Sequence, residues 1–340
     1  MDHGRMRLGI AGLGRLGRRH ALNLARRCWR AELMAACSPL ADEREWARTQ
    51  LGIERTYDSV EALLGDPQID AVILVTPTSM HAEQTIAALR AGKHVFVEKP
   101  LALQVEDCER VEAVARQHAE LVAMVGFVRR FDPSYQQVHA DIAEGRLGRP
   151  FLVRSQTCDM NDPDGFFVRF APSSGGLFMD CSVHDIDLAR WLLGGPRALR
   201  VYASGTVAMH EGLRAVGDVD NGLAVIEFEG GQRAMLYASR TMPHGHETTT
   251  EVIGTAGVAQ VGYGAARDRV VMRDACGVSH RSVLDFHERF SEAFALELDA
   301  FIDACLGRAA PPLQLADATE ATRIGQAITR SLHSGAVEQV

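Results

Sequence analysis

Leu8-Gly9-Ile10-Ala11-Gly12-Leu13-Gly14-Arg15-Leu16-Gly17 stands where an apolar run of strand type meets the start of a helical pattern. Gly12, Gly14 and Gly17 fit G-x-G-x-x-G, and each glycine has its own physical task. Gly12 permits a tight turn, Gly14 lets backbone approach a pyrophosphate, and Gly17 lets the helix pack closely on the strand. The helix N-terminus adds N–H groups with no partner in the helix and the positive end of its dipole. Glycines also cluster in plain turns, so the weight of the pattern comes from its place in the first strand–helix unit.

Strand-type runs at 8–11, 33–37, 71–75, 95–97 and 122–125, with a weaker one at 53–57, alternate with helical stretches such as 82–91 and 105–118. This alternation predicts a doubly wound parallel sheet of the Rossmann type, an α/β dinucleotide-binding domain over residues 1–127. Beyond it the grammar changes. Strand-type runs at 151–157, 199–207, 223–228, 234–239, 251–253 and 270–272 follow closely, with turn signals such as Gly230-Gly231, one helix over 177–193 and two closing helices near 288–306 and 316–332. The expectation is an α+β domain, 128–340, built on a largely antiparallel sheet for substrate binding and oligomerisation.

The 340 residues suit about two domains, and 46% apolar with 24% charged residues excludes long disordered or fibrous segments. No apolar run approaches the roughly 18 residues that span a bilayer, and Met1-Asp2-His3-Gly4-Arg5 leads into a strand rather than a signal peptide, so a cytoplasmic protein without a membrane partner is expected. Lys plus Arg total 36 against 44 Asp plus Glu, a net charge of −8 without a basic tract, which argues against nucleic acid. Cys28, Cys37, Cys108, Cys158, Cys181, Cys276 and Cys305 are scattered singly, and read mostly as small buried hydrophobes rather than zinc ligands.

In NAD-binding versions of this fold an acid about 20 residues past the glycines receives the ribose hydroxyls. Here the second strand ends Cys37-Ser38-Pro39, with Arg44 in the following helix. Ser38 could meet a hydroxyl or a 2′-phosphate, leaving NAD and NADP both open, or it could be a helix cap with Arg44 a solvated charge. Two further clusters, Val75-Thr76-Pro77-Thr78-Ser79-Met80-His81 and Glu98-Lys99-Pro100, follow strands at their carboxyl ends, where such sheets bind ligands. A third, Gly175-Gly176-Leu177-Phe178-Met179-Asp180-Cys181-Ser182-Val183-His184-Asp185-Ile186-Asp187, puts Asp180, His184 and Asp187 at i, i+4 and i+7, on one face of a continuous helix. Carboxylate and imidazole on one face could hold zinc, but no further ligand set is in view, and no metal is expected.

With these residues the chain resembles the glucose-fructose oxidoreductase and inositol dehydrogenase family. The likeness runs through the glycine fingerprint, Glu98-Lys99-Pro100, the double glycine before Asp180-x-x-x-His184 and the two-domain layout. It is strongest toward the inositol 2-dehydrogenases, through Gly126-Phe127-Val128-Arg129-Arg130-Phe131-Asp132 and His184-Asp185-Ile186-Asp187-Leu188-Ala189. The resemblance implies NAD(P)-dependent oxidation of a ring hydroxyl of myo-inositol or a close stereoisomer. Lys99, Asp180 and His184 would be catalytic, with His184 the base and Lys99 the cation that steadies developing alkoxide. Gly12, Gly14, Arg15, Leu16, Gly17, Ser38, Thr76, Pro77, Thr78, His81, Glu98 and Lys99 would bind NAD or NADP. Arg129, Asp159, Asn161, Asp187, His244 and His246 would join the catalytic three around the polyol. Alternatives are an aldose or anhydro-sugar dehydrogenase, a glycoside-cleaving enzyme working on tightly held NAD, or a non-catalytic redox sensor. Relatives pair subunits through the C-terminal sheet, so a homodimer or homotetramer is expected.

Overall fold

The apolar runs of the N-terminal part lack the polar alternation of a half-exposed strand, and a strand of that kind needs helices over both faces of its sheet. In the computed structural model, which describes residues 4–262, 266–268 and 270–340, they have them. The opening Met1-Asp2-His3 lies outside the described residues. The chain divides into two units, residues 1–128 with 292–320, and residues 129–291 with 321–340.

The first unit runs β1 (Met6–Ala11), α1 (Arg15–Arg26), β2 (Ala31–Cys37), α2 (Ala41–Leu51), β3 (Arg55–Tyr57), α3 (Val60–Leu64), β4 (Ala71–Leu74), α4 (Thr78–Arg90), β5 (His94–Glu98), α5 (Val105–Gln117) and β6 (Ala123–Gly126). The six strands are parallel in the order β3-β2-β1-β4-β5-β6. The order reverses between β1 and β4, so the loops after those strands and after β5 flank the switch point where ligands bind in such sheets. Leu8, Ile10, Val72, Ile73, Phe96 and Val97 are fully buried in the sheet.

The second unit contains α6 (Pro133–Ala143), β7 (Pro150–Met160), α7 (Phe166–Ser174), α8 (Leu177–Asp180), α9 (Val183–Leu192), β8 (Ala198–Thr206), β9 (Asn221–Phe228), β10 (Arg233–Met242), β11 (Glu247–Gly254), β12 (Val258–Val261), β13 (Met272–Asp274), β14 (Gly277–Ser279) and α10 (Phe286–Arg289). The chain closes with α11 (Ala293–Cys305), α12 (Leu315–Ser334) and β15 (Glu338–Gln339). The large sheet is ordered β12-β11-β7-β10-β9-β8-β15 and is antiparallel except for the parallel pair β7–β10. Its central strands largely alternate between a covered and an exposed face. Val153, Ala224, Ile226, Ala234, Leu236 and Val252 are buried, while Tyr202, Leu223, Val225 and Met235 point to solvent. On the covered side α8 lies so close that a Cβ on Gly222 would come within 2.7 Å of the Phe178 ring.

Three expectations are corrected. The second domain is not the contiguous stretch 128–340, because α11 belongs to the first unit. Leu298, Phe301 and Ile302 on α11 are fully buried, and Phe301 meets Phe96 of β5 edge to face at 5.9 Å between ring centroids. The expected helix over 177–193 is two helices, interrupted by a turn at Cys181-Ser182. The expected strand at 270–272 begins only at Met272 and pairs with β14 as a separate hairpin, whereas the large sheet ends on that side in β12, a strand of only four residues. Cys28, Cys37, Cys108, Cys158 and Cys181 are buried and unbridged. Burial pushes the Cys28 thiol up to about 12.

Helix α9 is fastened by two buried ion pairs. Arg129 donates to Asp185 at 2.7 Å and to Thr157 at 2.7 Å, and Arg130 grips Asp187 through both carboxylate oxygens at 2.8 and 2.6 Å. Removing one member of such a pair strands a charge out of water, which costs about 3–5 kcal/mol. Asp187→Ala is therefore expected to lower the urea midpoint of the second unit by that equivalent. The double change Asp187→Leu with Arg130→Met should recover most of the loss, and an unchanged midpoint in the single variant would show that the pair contributes nothing.

Candidate active site

The glycine loop has the form a pyrophosphate needs. Gly12 has φ +89°, and a Cβ there would lie 2.3 Å from the Val75 carbonyl oxygen. A Cβ on Gly17 would lie 1.9 Å from the Gly12 carbonyl oxygen, so only glycine lets α1 rise directly from the turn. A Cβ on Gly14, by contrast, would meet nothing within 4 Å. Gly14 and Arg15 are exposed, Leu16 is half-buried, and the first turn of α1 carries neither an acidic residue nor a side-chain cap. An open helix N-terminus with no anion of its own fits a dinucleotide phosphate.

At the end of β2 the Ser38 hydroxyl is already engaged. It donates to Glu43 Oε2 at 2.6 Å and accepts the Leu40 N–H at 3.1 Å, while Arg44 donates to the carbonyl oxygens of Ser38 and Pro39 at 2.7 and 3.0 Å. Ser38 thus closes a local turn, which brings the carboxylate of Glu43 on α2 to the end of β2.

Thr76, Pro77 and Thr78 open α4 at the end of β4, with the Thr76 hydroxyl donating to Gln84 at 2.6 Å. His81 is not open to a ligand. It is buried, with Nδ1 2.8 Å from the Pro100 carbonyl oxygen and Nε2 2.8 Å from that of Thr76, and so ties the β4 loop to the turn after β5. Burial holds its imidazole below the ordinary range, against the pull of those two carbonyls. Half-buried Lys99 follows Glu98, whose buried carboxylate accepts the Lys99 N–H at 3.1 Å and meets His20 Nε2 at 2.6 Å.

In the second unit, Gly175 and Gly176 both take positive φ, +78° and +87°, to turn the chain from α7 into α8. Asp218 Oδ1 accepts the Leu177 N–H at 3.0 Å, which caps α8 where its own sequence cannot. Arg240 of β10, fully buried, donates to Asp180 at 2.9 Å and reaches Asp218 at 3.4 Å, with its guanidinium over the Phe167 ring. Burial works against the Arg240 charge, and Cys181, Asp180 and Asp218 outweigh it. The Cys181 thiol lies 3.6 Å from Asp159 and 3.9 Å from Asp180, and the second Asp159 oxygen is 2.9 Å from His246 Nδ1. One network therefore gathers Asp159, His246 and Asp180. His246 Nε2 and Asn161 Oδ1 are buried without a hydrogen-bond partner among the described residues.

The other candidates stand elsewhere. His184 is half-buried in the first turn of α9, beyond the break after Asp180, so the two are not on one continuous helical face. His244 is exposed and pairs with Glu247 at 3.0 Å. Arg129 and Asp187 are occupied by the buried pairs that fasten α9 and act on any ligand through what those pairs hold. Arg240, Asp218, Glu43 and His20 escaped the sequence reading. His20 left a trace, as a polar residue on the face of α1 that also buries Gly17, Ala21 and Leu24. Arg240 left none, since an arginine ending an apolar strand reads as a surface charge.

Residues 6–127 match the oxidoreductase family with an NAD-binding Rossmann fold, and residues 135–260 match a GFO/IDH/MocA C-terminal domain. The chain is 38% identical over 335 residues to a scyllo-inositol 2-dehydrogenase (NAD(+)) of Bacillus subtilis, covering 98% of this chain and 96% of the relative. It is 32% identical over 329 residues to a myo-inositol 2-dehydrogenase of Thermotoga maritima, covering 96% of each. The crystal structure of scyllo-inositol dehydrogenase from Lactobacillus casei with bound NAD(H) and scyllo-inositol superposes with a TM-score of 0.95 at 35% identity, covering 98% of this chain and 99% of that one. With its glycine cradle, its Glu-Lys-Pro turn and both halves matched, this chain belongs to the GFO/IDH/MocA family of NAD-binding oxidoreductases.

Proposed function

We propose that the protein oxidises a ring hydroxyl of myo-inositol or a close stereoisomer to the ketone, with NAD as hydride acceptor. The observation that carries this reading is the near-full-length likeness to an NAD-dependent inositol dehydrogenase, joined to a phosphate cradle that only glycine can form. The dinucleotide supplies the acceptor for the hydride. This chain's residues must manage the proton and the charge: His184 takes the hydroxyl proton as the C–H bond breaks, and the Lys99 ammonium steadies the oxygen as it gains alkoxide character. Asp180 offsets the charge that His184 acquires, and is itself held by Arg240. Asp159, His246 and Asn161 meet the remaining ring hydroxyls in this reading, which is supported by the buried Nε2 of His246 and Oδ1 of Asn161, both without a hydrogen-bond partner among the described residues. The reaction belongs to the cytoplasm, where unbridged cysteines persist.

NAD is favoured over NADP by Glu43, whose carboxylate, 2.6 Å from the Ser38 hydroxyl at the end of β2, would oppose a 2′-phosphate. A second copy of the chain covers the solvent face of the large sheet. Tyr202, Leu223, Val225 and Met235 form an apolar centre there, rimmed by the pairs Arg154–Glu251, Arg200–Glu227 and Arg233–Glu227, which is the composition of an interface core and its polar border.

Reduced-nicotinamide absorbance, followed with inositol isomers and aldoses in the presence of NAD or NADP, tests the reading. Turnover of an inositol with NAD is expected, and silence with every inositol alongside turnover of an aldose would discard the substrate. Lys99→Ala should lower kcat by about 10²–10⁴ with dinucleotide affinity largely intact, and near-normal turnover would remove Lys99 from the chemistry. Glu43→Ala should shift the NADP-to-NAD ratio of kcat/KM about tenfold toward NADP, worth ~1.4 kcal/mol; no shift would mean that Glu43 does not read the ribose. Leu223→Asp combined with Val225→Asp should yield smaller particles by light scattering, and an unaltered particle mass would place the interface on another face.

A further inference from the structure

The first unit encloses three titratable side chains that the proposed chemistry does not use: His20 on α1, Glu98 at the end of β5 and Glu297 on α11, all buried. His20 Nε2 is 2.6 Å from one Glu98 oxygen, the other accepts the Lys99 N–H at 3.1 Å, and one ligand-type atom from each of the three lies within 4.8 Å of the others. The walls are apolar and tight. Phe96 and Phe294 present ring edges to His20 at 5.7 and 5.6 Å, and a Cβ on Gly126 would press to 3.2 Å on both Glu98 oxygens. Both oxygens of Glu297, and Nδ1 of His20, have no hydrogen-bond partner among the described residues.

Two carboxylates and one imidazole cannot all be ionised here without a net negative charge sealed from water, which a protein interior relieves by taking up a proton. His20 is in contact with Glu98, so the proton that restores neutrality belongs on Glu297. Burial and the neighbouring Glu98 charge both push the Glu297 carboxyl well above its usual range.

We propose that Glu297 is a positioning residue that stays protonated at neutral pH, so that Glu98 remains the one charged carboxylate of the cluster, paired with His20 and fixing the backbone of Lys99. The cluster thereby locks α1, the helix of the dinucleotide loop, to the turn that bears Lys99, and the functional part of the inference rests on the role proposed for Lys99 above. A metal ion bridging the same three side chains is the competing way to neutralise them.

The test uses the full-length protein. Infrared spectroscopy at neutral pH should show a buried protonated-carboxyl band that Glu297→Gln removes. Glu297→Gln, whose neutral amide mimics the acid, should keep kcat within about twofold. Glu98→Gln should lower kcat about tenfold or more, with the KM for polyol little changed, since it alters what Lys99 does rather than what the pocket binds. The proposal is overturned if the wild-type protein lacks the band, if Glu297→Gln loses as much kcat as Glu98→Gln, or if the purified protein holds a stoichiometric metal that Glu297→Gln releases. The infrared arm needs no substrate, so a failure of the inositol reading would appear as absent turnover with the band still present.

Discussion

A charge removed from water must be met by an opposite charge, by hydrogen bonds or by a proton, and in each unit several candidate residues are held by groups under that constraint. Glu98 faces His20 beneath the turn of Lys99, Arg240 lies between Asp180 and Asp218, and Arg129 and Arg130 clamp Asp185 and Asp187 at the start of α9. Each arrangement fixes a short segment that could not fix itself. The four residues of α8 are too few for a stable isolated helix, and they hold because Asp218 caps the first N–H and Arg240 grips the last side chain. The site is thus rigid at points where local propensity is weak, and the rigidity is electrostatic.

The parts of this design that were legible in the sequence are those governed by periodicity and by sterics. The parallel sheet was readable because strands buried on both faces must be continuous apolar runs, and the cofactor loop because Gly12 and Gly17 occupy places where a Cβ would strike a carbonyl oxygen. What was not legible depends on partners far apart in the chain. Arg240 and Asp180 are 60 residues apart, and Arg130 and Asp187 are 57 apart. Nothing local distinguishes such charges from solvated ones. The same limit explains α11, whose apolar face could have been satisfied by either unit and is claimed by the first through Phe96 and His20.

The break between α8 and α9 shows how a correct motif can carry an incorrect geometry. Asp180 and His184 have helical spacing, and the intervening Cys181 and Ser182 keep right-handed backbone angles, with ψ −54° and −7° respectively. The departure from a helix is therefore small in angle, yet it separates the two side chains into different local frames. Asp180 is aligned with β10 through Arg240, whereas His184 moves with α9 and its buried ion pairs. The two residues are set by independent anchors, a more demanding arrangement than a shared helical face, and it is these anchors that the surrounding charges supply.

This separation bears on how the roles divide. Asp180 shares the buried guanidinium of Arg240 with Asp218, so its position is set by β10. In the reaction proposed above, the imidazole of His184, whose ordinary range lies near neutrality, is the group assigned the hydroxyl proton. On that proposal Asp180 supports the charged imidazole as a carboxylate held in place by Arg240. The buried Cys181 thiol lies between Asp180 and Asp159, the carboxylate that meets His246, and so joins the Arg240 cluster to the His246 pair in one polar network.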